Sequence, residues 1–450
     1  MSSQNACIYG FFRAERHANG RGTRAVNTRL IYLLSLLLVL AVAVPAVRAG
    51  AAVTGAEARV RNLLLVSGAE QNASVAAQLP ADLVVEARDS AGNAVANAAL
   101  ALEVRKGGGW TPTPWAVTNE EGRVSIPWYM GPRPGEQELR AAAGAARLLI
   151  TATAEPLEAR KTTSGHRDYV EFIPGELPFI ISAPHGGTQR PDDIPDRAYG
   201  ITSRDFATDE IAHLLAEALD DLTGGRPHLV VVHLHRIKLD ANRPIEEAAQ
   251  GDPLAQRLWR EYHGFIEAAK AWVTEHFGEG FYMDLHGHGL RNQRLQLGYL
   301  LTSTDLEQSN DELDETWAIS KSSLRTLVKT SPHSHSQMVR GEVSLGAFYE
   351  QEGYPTVPSP AQPDPGGERF FSGGHNTRLH GSRDGGPISG FQLELNREGV
   401  RNTPEQRQAF AETNARVINR FFQTHFGYSL DNAAARVHTA SNPLPYAANE

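Results

Sequence analysis

The sequence predicts an α/β domain preceded by a small all-β sandwich, and three observations carry that expectation. From about Asn62 to Glu155, short alternating apolar runs are separated by turn residues, the pattern of a small sandwich. From Gly165 to about Gly427, buried-type apolar runs alternate with amphipathic helical patterns, the pattern of an α/β sheet. Four of those later runs end on polar residues of catalytic type. In open α/β sheets, reactive groups gather beyond the carboxyl ends of the strands.

Residues 1–49 read as a secretory signal. An uncharged run, Leu30–Val44, follows Arg13, Arg16, Arg21, Arg24 and Arg29, and precedes Val47-Arg48-Ala49 with small residues at −3 and −1. The run has 15 residues, short of the roughly 20 that span a bilayer. Cleavage near Ala49 is therefore expected, with an uncleaved membrane anchor as the other reading. The expected location is secreted, periplasmic or cell-surface. Cys7, the single cysteine, falls in this segment, so the remainder has no structural disulfide, thiolate zinc ligand or thiol nucleophile. The net charge of −9 also argues against a nucleic-acid partner.

The sandwich is expected over 60–156. Its runs include Leu83–Ala87, Leu100–Val104, Arg123–Ile126 and Arg147–Thr151, and the turn signals Asp89–Asn93 and Gly107–Gly109 lie between them. Val66–Gln71, Asp89, Gly92-Asn93 and Asn119–Arg123 together resemble a bacterial Ig-like domain of the invasin type. That resemblance implies a spacer or an adhesive module in contact with a cell surface or cell wall. The plainer reading is a domain that only positions its neighbour.

The second domain is expected over 165–430. Ile211, Leu214, Leu215, Ala218, Leu219 and Leu222 repeat at helical spacing, as do Leu258, Trp259, Tyr262, Phe265 and Ile266. The strand-like runs end at Pro184-His185-Gly186-Gly187, at His233–His235 with Asp240–Pro244 beyond, at His286-Gly287-His288-Gly289, and at Asn396-Arg397 after Glu394. A zinc hydrolase needs imidazole or carboxylate ligands, an open coordination position and a nearby base. His185 and His286 suit the ligands and Glu394 the base. Asp284 is expected to orient the site or cap a buried helix, and His288 is a second-sphere partner or an alternative to His286. No Gly-x-Ser-x-Gly occurs, which counts against a serine hydrolase.

Ala183–Thr188, Lys238–Pro244, Asp284–Gly287, Gly373–Thr377 and Gln392–Asn396, taken in order, resemble the N-formylglutamate amidohydrolase family, which is related in fold to the zinc carboxypeptidases. The resemblance runs from about Gly165 to Thr403. It implies a carboxypeptidase-like mixed sheet flanked by helices, Zn2+ on His185 and His286, Glu394 as general base, and Arg243 on a substrate carboxylate or developing oxyanion. Asn242 is expected as a substrate contact, and the stretch Phe371–Arg378 is expected as a flap over the substrate with His375 or Arg378 touching it. The carboxypeptidase pattern has a Glu three residues after the first His, where this chain has Thr188. The resemblance points instead to Asp209 as the acidic ligand. Within the segment Arg204–Glu210, helical spacing puts Glu210 in the row of Leu214 and toward the core, so Glu210 stays open as the alternative acidic ligand; an acid in a first helical turn is also favourable without any metal.

His333 and His335, flanked by Pro and Ser, are expected in an exposed loop, and the tail over 431–450 is expected to be disordered. The expected activity is an exported zinc-dependent amidohydrolase or peptidase. Its substrate would carry an amide near a free carboxylate, as in an N-acyl amino acid, a peptide or a cell-wall fragment. The alternative is a non-catalytic surface-binding protein with a degenerate hydrolase domain.

Overall fold

Alternation of apolar and polar residues builds the first eight strands. The computed structural model describes residues 55–439. Within it lie β1 (Asn62–Ser67), β2 (Asn72–Ser74), β3 (Leu83–Arg88), β4 (Ala99–Lys106), β5 (Trp115–Val117), β6 (Arg123–Ile126), β7 (Gly135–Ala143) and β8 (Ala146–Glu155). The expected signal segment, its cleavage site and Cys7 lie outside the described residues. One sheet has the order β1-β3-β6 and the other β2-β8-β7-β4-β5. Leu139, Ala141 and Ala143 of β7 alternate inward, as do Ile150, Ala152 and Ala154 of β8. A two-residue turn joins these strands and sets Ala143 opposite Ala146. Gly144 takes a φ of +55° there, which suits the twist of a tight hairpin.

The remaining strands form one mixed sheet. They are β9 (Thr163–Ser164), β10 (Val170–Ile173), β11 (Phe179–Ala183), β12 (His228–Val232), β13 (Gly280–Gly287), β14 (Leu295–Gly298), β15 (Thr356–Val357) and β16 (Ile388–Leu395). The order is β15-β14-β16-β13-β11-β12-β10-β9. Its centre, β16-β13-β11-β12, is parallel, while β14 and β10 run antiparallel to their inner neighbours. The carboxyl ends of the four central strands therefore share one edge. Buried on both faces, β11 and β12 read as near-continuous apolar runs, while β13 and β16 set Asp284, His286, Gln392 and Glu394 among their apolar residues.

Four helices matter to the site: α1 (Thr208–Thr223), α2 (Pro253–Phe277), α3 (His375–His380) and α4 (Pro404–His425). Ile211, Leu215 and Leu219 of α1 pack with Phe421 and Phe422 of α4 against Phe281, Met283 and Phe391. Leu222, expected in this stripe, is exposed. On the opposite face, Leu258, Tyr262, Phe265 and Ile266 of α2 pack with Ile180, Val230 and Tyr282. Alternation along β13 thus sends Phe281, Met283 and Leu285 toward α1 and α4, and Tyr282, Asp284 and His286 the other way.

The all-β segment is not a detached spacer. Its buried Leu83, Leu139 and Ile150 belong to the same apolar cluster as Leu258 and Phe265. Arg257 of α2 donates to Gln78 Oε1 at 2.9 Å and lies over the Tyr129 ring, and Arg260 lies over Trp110. The described residues form one compact unit.

Two expectations are corrected here. Where a disordered tail over 431–450 was expected, Leu430–Thr439 form a helix with Leu430, Ala433 and Ala434 buried, periodic alanines providing the apolar stripe, and 440–450 lie outside the described residues. His335 is buried and sits 2.7 Å from the Leu313 carbonyl, a tertiary partner that its Ser/Pro neighbours do not announce.

Phe281 stacks on Phe391 and Phe421 with ring centroids at 5.3 and 4.8 Å. Phe281→Ala is expected to cost about 3–5 kcal/mol, seen as a lowered urea midpoint.

Candidate metal centre

Two strand ends and one helix entry place three ligand-type side chains together. His185 follows β11 and His286 lies near the end of β13. Asp205 belongs to the loop before α1. Its backbone N–H donates to the His185 carbonyl at 3.0 Å, and its own carbonyl accepts from Thr208 Oγ1 at 2.9 Å. Ala207, at φ 62°, turns the chain from that loop into the helix.

His185 Nδ1 and His286 Nδ1 are 3.1 Å apart, and Asp205 Oδ2 lies 3.3 and 3.1 Å from them. Ligands held at 2.0–2.1 Å in a tetrahedral site stand about 3.3–3.4 Å apart. The spacing therefore fits a small divalent cation. These three buried residues form the one such group among the described residues.

The far side of each ring supports the same reading. His185 Nε2 lies 2.7 Å from Asp240 Oδ1, and His286 Nε2 lies 2.7 Å from Asp284 Oδ2. A carboxylate can only accept, so each Nε2 carries a proton, which leaves each Nδ1 facing the shared point as the nitrogen that would bind a metal once free of its own proton. Asp240 also accepts from Arg236 Nε at 2.9 Å, and Asp284 from Ser182 Oγ at 2.7 Å. Burial pushes the Asp240 carboxyl upward, but His185 and Arg236 outweigh it and hold it well below the usual range. Burial likewise opposes charge on His286. Asp284 and Asp205 overcome that and raise the ring to about 10. Uptake of a metal there must displace a proton.

Glu394 sits on β16 directly across from His286. It is buried and accepts from Gln392 Nε2 at 2.8 Å. Burial is the main cause of its pKa rising to about 7; the His286 charge pulls it down and the Asp205 charge pushes it up. A carboxylate so tuned suits proton transfer near neutrality. His185, Asp205, Arg236, Arg243, His286 and Glu394 line a cavity of about 560 Å³ whose far wall is the segment 369–374. Arg243 donates to Glu247 Oε1 at 3.1 Å and to the Asn242 carbonyl at 2.7 Å.

The structure gathers His185, His286, Glu394, Arg243 and Asn242 around this cavity, but corrects the acid. Asp205, not Asp209 or Glu210, meets the imidazoles. Asp209 is in the first turn of α1, packed against Gly186, where a Cβ would lie 2.6 Å from Asp209 Oδ1. Glu210 is exposed and accepts from Arg407 Nε at 2.8 Å. The helix buries Ile211 and Leu215, which turns Glu210 outward despite its row.

His375 and Arg378 are not among the residues lining the cavity: the 369–374 segment walls it, and α3 begins at His375. His375 lies against Trp259 and His263, and exposed Arg378 faces Asp384. Asn242 Oδ1 accepts from Asn376 N–H at 2.8 Å, which holds the amide at the cavity wall with Nδ2 3.1 Å from His286 Nε2. His288 lies 2.9 Å from the Arg294 carbonyl through Nε2 and is outside the ligand cluster. Asp205, Asp240 and Arg236 carried no assigned role in the sequence, although Asp240 lies within the Lys238–Pro244 stretch.

No family model and no curated protein matches the chain. Among solved structures, the gene product Atu2144 from Agrobacterium tumefaciens is similar at a TM-score of 0.37 and 12% identity, over 57% of this chain and 95% of that one. An N-formylglutamate amidohydrolase from Ralstonia eutropha JMP134 is similar at 0.35 and 14% identity, over 56% of this chain and 95% of that one. The D00-D0 domain of Intimin is similar at 0.18 and 17% identity, over 21% of this chain and 46% of that one. No helix among the described residues is long and apolar enough to cross a membrane.

Proposed function

We propose that the chain is an exported, zinc-dependent amidohydrolase or peptidase that cleaves an amide bond near a free carboxylate. The observation carrying this reading is the convergence of His185 Nδ1, His286 Nδ1 and Asp205 Oδ2 at coordination spacing, opposite Glu394. The three donors are those of a hydrolytic zinc site with one position left for water or substrate. A bound zinc ion would act as a Lewis acid toward a carbonyl and lower the pKa of water. Around it, Asp240 and Asp284 hold the two rings by their Nε2 protons. Glu394 takes the proton of the attacking water on its carboxylate and returns it to the leaving amine. Arg243 receives the substrate carboxylate at the cavity wall; its planar fork stays charged at every relevant pH.

Export places the substrate among N-acyl amino acids, secreted peptides or cell-wall fragments, and the all-β segment serves as an Ig-like module holding the catalytic part near that surface. Amine release from N-acylated amino acids and muropeptides, assayed with and without chelation, tests the proposal together with metal content. Stoichiometric zinc and chelator-sensitive release are expected. A metal-free protein whose behaviour ignores chelators would instead be the non-catalytic binder.

A further inference from the structure

We propose that Arg401 is a positioning residue that sets the metal centre by tying three backbone carbonyls, one beside each of Asp205, His286 and Glu394. The inference rests on the metal-centre reading above. Arg401 ends the turn Arg397–Arg401 that follows β16, and it is 3% exposed. Its Nη1 donates to the Phe206 carbonyl at 2.9 Å, its Nη2 to the His288 carbonyl at 2.6 Å, and its Nε to the Asn396 carbonyl at 3.2 Å. Phe206 adjoins Asp205, His288 is two residues past His286, and Asn396 is two past Glu394. One guanidinium therefore joins the loops of the acidic ligand, the second imidazole and the base.

Only arginine has the shape for this task. All three of its nitrogens donate in one plane, whereas a lysine offers a single ammonium that cannot reach three divergent carbonyls. All three of its bonds go to backbone oxygens, while its charge faces Asp205 and Glu394. The surroundings fix the side chain in turn. Arg407 Nη1 holds the Arg401 carbonyl at 3.0 Å, and a Cβ on Gly287 would lie 2.4 Å from Arg401 Cζ. Gly287 also offers its N–H to Asp205 Oδ2 at 3.3 Å. The glycine after His286 thus makes room for the clamp.

The test is a cobalt(II) titration of the metal-depleted full chain, following the visible absorption of the bound ion, on the natural protein, Arg401→Met and Arg401→Lys. Circular dichroism and a thermal midpoint accompany each. Both variants are expected to bind cobalt with affinity lowered about 10- to 100-fold, the range for lost outer-sphere support, and with an altered visible band. The Lys variant should fall less. Natural-type affinity and band in a folded Arg401→Met would overturn the clamp while leaving the metal centre intact. If Arg401→Met fails to fold, Arg401→Lys decides by the same two readings. A natural protein that takes up no cobalt overturns the metal centre and the clamp together.

Discussion

Glu394→Gln is expected to leave metal uptake intact and to lower turnover by about 10²–10⁴-fold, the usual contribution of a positioned acid–base group. Metal retention follows from geometry: the three converging atoms belong to His185, Asp205 and His286, and Glu394 is not among them. The substitution is also gentle. A glutamine of the same shape still accepts from Gln392 through its Oε1, and a neutral amide relieves the burial that lifts the Glu394 pKa to about 7. Stability should therefore stay level or rise slightly, which separates a chemical defect from a folding one. The loss corresponds to about 3–5 kcal/mol of barrier. Metal stoichiometry, thermal midpoint and kcat on a responsive substrate would be measured side by side. A fully active variant would remove Glu394 from proton transfer.

The parts of the site carried by strands were legible because parallel strands advertise themselves twice. Phe179–Ala183 is a near-continuous apolar run, Phe281–Leu285 and Phe391–Leu395 are apolar at alternate positions, and their common direction brings His185, His286 and Glu394 to one edge. Asp205 carried no such mark. Its place depends on a left-handed Ala207 and a turn closed by the Thr208 hydroxyl, and neither has a periodicity to read. The first turn of α1 then offered Asp209 and Glu210 as decoys, because the helix dipole favours acids there in any case. Asp240 illustrates the same limit. It sits in a recognisable stretch, yet its bond to His185 spans 55 residues of chain and is made only by tertiary packing. His375 was misplaced for a related reason: a glycine-rich approach suggests a flap, but where α3 starts is decided by the Asn376 N–H finding Asn242.

Asp205→Asn, set against Asp209→Asn, decides which acid completes the centre. Replacing Asp205 leaves two imidazoles and a neutral amide oxygen, while Arg236 Nη1, now 3.6 Å from Asp205 Oδ1, loses its partner there. Arg236 keeps its bond to Asp240, so the loss falls on the cation: without the carboxylate charge, zinc affinity should fall by about 100-fold or more, equivalent to about 3 kcal/mol. Asp209→Asn removes only a favourable charge at the start of α1, worth about 0.3–1 kcal/mol of stability. Its zinc affinity should stay within about twofold, with a small drop in thermal midpoint. Competition titrations with a chromophoric chelator, run on both variants at one pH, give the comparison directly. The two outcomes cannot be exchanged without changing the geometry: if Asp209→Asn released the metal and Asp205→Asn held it, the loop before α1 would have to present a different residue to His185 and His286, and the bond from Asp205 N–H to the His185 carbonyl would have to break.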